Sequence, residues 1–245
     1  MNHLGHSYVA YKIIGHMNSY VAAGAILPDL IPFVHSTKYF GDQAFTDIHE
    51  AGEKVLEINR DMGLAMITHG VTYGVDQFNK DIDVWLLGSD DKIKNALAER
   101  IVNCSGISFD VAYKNRLHNY LWVGVDLYIL YQRPRFVQQL VQAHKHIKAA
   151  EITHLLANAT GLDQHELSSM ITTLLDVHNP DLLHSLDGIT QIWKIFLAAL
   201  PDRDTIDTEK TRVLFQDIYE MFLPQWPHIL KRVISDVRKN ITRYL

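Results

Sequence analysis

"ITHGVTYGVDQF", residues 67–78, is the stretch on which the reading of this chain turns. Its apolar residues recur at helical rather than strand spacing, which predicts a buried helix over about 61–79. It also carries His69 and Asp76, both costly to place in an apolar environment. "LHNYLWVGVDLY", residues 117–128, repeats the idea with His118, a second Gly-Val-Asp and Asp126. Around these two segments the chain is helical throughout. No stretch alternates apolar and polar residues and then leads into an Asn-Gly or Asp-Gly hairpin turn.

Helices are predicted at about 4–17 and from 19 to a break at Leu27-Pro28, followed by a loop over 28–41 with two prolines and a glycine. Others follow at about 44–59 and 61–79, from an N-cap at Ser89 to Ser105-Gly106, and from 108 to 132. Pro134 suits the first turn of the next. "LDQHELSSMITTLLDVH" after Gly161 keeps a 3.6-residue rhythm, Pro180 restarts the chain, and helices near 181–200, 208–222 and 227–243 close it. The expectation is an all-α fold of about ten helices, with residues 1–245 as a single domain. No low-complexity linker divides it. The metal-ligating residue types fall inside apolar helices over about 1–130, and ordinary amphipathic helices fill 134–245.

Composition narrows the function classes. A net charge of −5 offers no general attraction to nucleic acid, and no nucleic-acid-binding motif occurs. Cys104 stands alone, so no internal disulfide forms and a reducing compartment fits. "MNHLGHSYVAYK" lacks the layout of a secretory signal, and "SYVAAGAILPDLIPFV" is interrupted by Pro28, Asp29 and Pro32. A soluble cytoplasmic protein is the expectation. No Gly-x-Ser-x-Gly elbow, P-loop or dinucleotide-binding glycine pattern is present. The C-terminal "WPHILKRVISDVRKNITRYL" is a basic amphipathic helix, whose contact with an anionic membrane surface is expected to be weak at most.

On a continuous helix, seven positions amount to about 700°, so His69 and Asp76 would point within about 20° of each other. Tyr73 lies near the same stripe. His118 and Asp126, eight apart, would lie about 80° out of alignment and need a bend. A divalent cation satisfies imidazole nitrogen and carboxylate oxygen together, with zinc first and manganese or iron as alternatives. Gly74 and Gly124, each two positions before its aspartate, permit a close approach of neighbouring chain. Further candidates lie upstream. His3 and His6 are one turn apart, Asp29 follows Pro28 in a stiff turn, and His49 opens the next helix.

The run from the early histidine through "GAILPD" resembles the zinc-dependent phospholipase C family and its P1-nuclease-like relatives, over roughly residues 1–130. That resemblance implies an all-helical, metal-dependent phosphohydrolase. His6 (or His3) would be the early histidine ligand and Asp29 the Pro-Asp carboxylate. His49 would be the next histidine, and His69 with Asp76 and His118 with Asp126 the later pairs. The family pairs histidine with an acid four residues on and uses a processed N-terminal tryptophan. The intervals of seven and eight here, and the start at Met1, point to one or two metals rather than three. "MNHLGHSYVA" with Gly24 and Asp29 also resembles acyl-carrier-protein phosphodiesterases, relatives of the HD phosphohydrolases. Both resemblances imply hydrolysis of a phosphoester by metal-activated water, with Asp47 or Glu50 available as general base. A helical binding or scaffold protein that has lost its metals is the alternative from another class.

Overall fold

Gly70 and Gly74 break the helix that the apolar rhythm of 61–79 suggests. The computed structural model, which describes residues 3–30, 48–177, 179–198 and 205–245, ends that helix at His69. Gly70 leaves the helical region with ψ 166°, a turn follows, and Val75–Phe78 form a 3-10 turn. A Cβ on Gly74 would lie 2.4 Å from the carbonyl oxygen of Thr68, so glycine lets the chain fold back against its own helix end.

Thirteen α-helices of seven or more residues, and no strand, occur among the described residues. They are α1 (His3–Ile14), α2 (Ser19–Leu30), α3 (Gly52–Ile58), α4 (Arg60–His69), α5 (Asp81–Leu87) and α6 (Asp91–Ser105). Then come α7 (Leu117–Gln132), α8 (Pro134–Lys145), α9 (Ala149–Thr160), α10 (Gln164–Val177), α11 (Leu186–Ala198), α12 (Thr208–Met221) and α13 (Trp226–Asn240). The all-α expectation holds, with more and shorter helices than the ten expected. Asp90, not Ser89, caps α6, accepting from the N–H groups of Lys92 and Ile93. Gly106 ends α6 at φ +71°, the left-handed cap that favours glycine.

The expected break at Leu27-Pro28 does not occur, because α2 runs through Pro28 to Leu30. Proline there removes a single backbone donor near the end of a helix already held by packing, so two more residues continue it. Asp29 therefore sits in the last turn of α2. Most of the predicted 28–41 loop and residues 44–47 of the next helix lie outside the described residues.

Small residues let the helices that carry the site approach closely. Gly24 of α2 faces the Met62 carbonyl of α4, where a Cβ would come within 2.5 Å. Gly63 of α4 faces the Leu56 backbone of α3, where a Cβ would come within 2.3 Å. The main buried apolar cluster runs from Leu4 to Ile241, so the last helix shares a core with the first. Within it α7 is central, packing against α1, α5, α6, α8, α12 and α13. Helix α13 in turn packs against α1, α7 and the 75–78 turn, burying Trp226, Ile229, Leu230, Val233 and Val237. Its Lys231, Arg232, Arg238 and Lys239 remain exposed. No helix among the described residues is long and apolar enough to cross a membrane.

Gly124 on α7 meets the indole of Trp226, where a Cβ would lie 2.3 Å from Cζ2. That indole is fully buried and donates from Nε1 to the Tyr219 carbonyl at 2.8 Å, so it has little room to retreat. Gly124→Ala is expected to destabilise the fold by about 1–3 kcal/mol through overpacking, read as a lower urea midpoint at unchanged m-value.

Candidate metal centre

His69 and Asp76 do meet, but through the turn rather than along one helix face. His69 ends α4, and the 70–74 turn carries the chain back so that Asp76, in the 3-10 turn, faces it. His69 Nε2 lies 3.3 Å from Asp76 Oδ2 and 3.5 Å from Asp29 Oδ1. His6 of α1 closes the ring, its Nε2 3.3 Å from Asp76 Oδ1 and 3.7 Å from Asp29 Oδ2. The two imidazoles stack with centroids 3.9 Å apart. One ligand atom from each of the four residues lies within 4.8 Å of all the others.

These spacings are too long for charge-assisted hydrogen bonds, which run about 2.7–2.9 Å. Each imidazole nitrogen instead stands 3.3–3.7 Å from one oxygen of each carboxylate, the two histidines facing different oxygens, which leaves room for a cation bonded at about 2.0–2.1 Å between them. The His69 tautomer fits as well. Nδ1–H donates to the Ala25 carbonyl at 2.7 Å, so Nε2 faces the carboxylates, buried and without a hydrogen bond, and can ligate once its proton is displaced. Asn79 donates from Nδ2 to Asp76 Oδ1 at 3.0 Å and fixes that carboxylate. This buried His/Asp group can hold a metal ion, and it is the one group of three or more such residues among the described residues that can.

Electrostatics also call for a cation. Two carboxylates meet the C-terminal ends of α2 and α4, each carrying partial negative charge. Burial would depress the His69 pKa, but the Asp76 and Asp29 carboxylates overcome it and raise it to about 10. Burial and the neighbouring His69 lower that of His6. Although burial opposes it, the two histidines hold Asp76 well below the usual carboxylate range, and Asp29 is lowered, with His69 the main cause. Without a metal, one imidazolium on His69 thus serves two carboxylates.

The other candidates fall around the group. His49 is buried with Nε2 4.0 Å from Asp76 Oδ2 and its ring 5.7 Å from that of His69. It also lines a cleft of about 240 Å³ with Glu50, Glu53, Thr72 and Tyr73, so it stands between the four residues and that cleft. Glu50 is exposed there, and Asp47 lies outside the described residues. Tyr73 turns away from the metal group, its hydroxyl accepting from Arg243 at 2.7 Å and its ring under the guanidinium. His3 is buried on α1 but is not part of the group, so His6 is the histidine of that pair that reaches it.

His118 and Asp126 are not among the four residues brought together. The helix α7 that carries both begins only at Leu117, after a π-helical turn over 112–116, so nothing bends the two into line. His118 is half-buried, and burial lowers its pKa to about 4, with Lys80 and Arg116 adding and Asp76 opposing. Asp126 is buried and accepts from the Gly5 N–H at 2.8 Å. Burial raises its pKa to about 7, against the lowering effect of that bond. It ties down the first turn of α1.

Asn79 and Trp122 escaped the sequence reading as parts of the site. Asn79, three residues after Asp76, was within reach of a local-spacing argument. Trp122, which donates from Nε1 to the Asn79 carbonyl at 3.0 Å across 43 positions, was not.

Set against family models, curated proteins and solved structures, the chain matches none.

Proposed function

We infer that this protein is a metal-dependent hydrolase of phosphoesters, with His6, Asp29, His69 and Asp76 holding the ion. The observation that carries the reading is the convergence of these four side chains, drawn from α1, α2, α4 and the 75–78 turn, into one buried group. The donor set is imidazole and carboxylate without thiolate, which suits zinc first and manganese or iron next. A bound ion would polarise a phosphoryl oxygen and lower the pKa of water. Two carboxylates balance the charge of a divalent cation in this dry setting. The Asp29 side chain, 16% exposed, marks the edge at which water reaches the group. His49, between the group and the 240 Å³ cleft, is placed to orient a substrate or move a proton there. Both family resemblances agree with this chemistry, and the acyl-carrier-protein-phosphodiesterase-like variant differs in substrate alone.

A second reading, a closed structural centre in a binding or scaffold protein, is favoured by the burial of His69 and by four protein donors in place of three plus water. Protein purified without chelator separates the two. Hydrolysis requires about one equivalent of zinc, manganese or iron and cleavage of bis(p-nitrophenyl) phosphate that stops with dipicolinate and returns with metal. Stoichiometric metal without cleavage of any phosphodiester or phosphomonoester supports the structural centre. Metal-free protein that takes up none sinks both and leaves the helical binding or scaffold protein that has lost its metals.

A further inference from the structure

Helix α7 supplies none of the four residues of the metal group, yet it touches the support of two of them. Its Asp126 accepts the Gly5 N–H at 2.8 Å, one residue before His6. One turn earlier on the same helix, Trp122 donates from Nε1 to the carbonyl of Asn79, whose Nδ2 donates to Asp76 Oδ1. The Trp122 indole is buried and packed edge-on against Trp85.

We propose that α7 is the outer brace of the metal group, with Asp126 setting the position of His6 and Trp122 setting that of Asp76. Both are positioning residues, and the proposal rests on the four-residue group being a metal site. The geometry explains why two polar contacts from one helix reach the supports of two different ligands. His6 and Asp76 belong to elements separated by 69 intervening positions, and neither is anchored to the other by a short hydrogen bond. A common rigid element that grips the backbone beside His6 and the turn beside Asp76 fixes their separation at the spacing a small cation requires.

The test is zinc affinity, measured by competition with a chromophoric chelator, in the wild type, Asp126→Ala, Asp126→Asn and Trp122→Phe. Losing a partner of this outer kind typically weakens metal binding about 10–100-fold, which is expected for Asp126→Ala and for Trp122→Phe. Asp126→Asn keeps an oxygen that accepts the Gly5 N–H and is expected to bind zinc as the wild type does. With cobalt in place of zinc, the visible ligand-field bands are expected to shift in the alanine and phenylalanine variants and to stay put in the asparagine variant. Circular dichroism of the metal-free proteins reports whether each is folded. If Asp126→Ala does not fold, Trp122→Phe, which removes one N–H from a retained aromatic, decides the matter. Folded alanine and phenylalanine variants with wild-type affinity and spectrum overturn the brace while leaving the metal site intact. Equal weakening by asparagine and alanine overturns the hydrogen-bond role assigned to Asp126. A wild type that binds neither zinc nor cobalt overturns the metal site, and the brace with it.

Discussion

His69→Ala is expected to leave the protein without its metal ion and without turnover. Structural zinc in a four-ligand site is worth about 10–16 kcal/mol, so one ligand of four represents roughly 3 kcal/mol, on the order of a hundredfold or more in affinity. The loss is steeper here because His69 has two functions. Its Nε2 faces both carboxylates, at 3.3 and 3.5 Å, and its Nδ1–H is tethered to Ala25. In the metal-free protein it is also the cation that keeps Asp29 and Asp76 ionised inside the fold. Removing one partner of a buried ion pair typically costs about 3–5 kcal/mol, because the other charge is left uncompensated. Metal analysis of the purified variant should therefore give far less than one equivalent. Its melting temperature in chelator should fall below that of metal-free wild type. A variant that retains stoichiometric metal would remove His69 from the ligand set.

Metal affinity is expected to climb steeply with pH. A cation entering the group displaces the His69 proton, which the two carboxylates hold with a pKa of about 10. While one proton is released per metal bound, the apparent affinity rises tenfold per pH unit, or about 100-fold between pH 6 and pH 8. The stability of the metal-free protein runs the other way. The folded pKa lies above the ordinary histidine value of 6.5, so this contribution is complete below about pH 6.5 and is lost as pH rises towards about 10. Alkaline solution thus weakens the metal-free protein and strengthens metal binding. Calorimetric titration with zinc in two buffers of different ionisation enthalpy counts the protons released. A count near zero at pH 7 would show that His69 is neutral before the metal arrives.

The buried imidazoles and carboxylates are legible in the chain because their neighbours are apolar. His6 lies among Leu4, Tyr8 and Val9, and His69 follows Met66 and Ile67, so helical rhythm alone buries both. The pairing of His69 with Asp76 was legible too, but for a different geometric reason. A continuous helix would align them two turns apart, whereas Gly70 and Gly74 stop the helix and fold the chain back. Helix propensity is a weak signal over so few residues, and the packing of Gly74 on Thr68 outweighs the apolar rhythm. Pro28 misled in the opposite direction, since tertiary packing carried α2 past it.

The echo at 117–128 shows where one-dimensional reading ends. Its His118 and Asp126 resemble a second ligand pair in residue type, and composition cannot tell a ligand from a helix anchor. Only the placement of Asp126 against the Gly5 N–H distinguishes them. The sequence by itself determined the all-helical class and a buried supply of histidine and aspartate, because periodicity and burial are local properties of the chain. The tertiary structure alone decided which four of those residues share a site. Their spacing depends on how α1, α2, α4 and the 75–78 turn pack, and glycine contacts at Gly24, Gly63 and Gly74 set part of that packing.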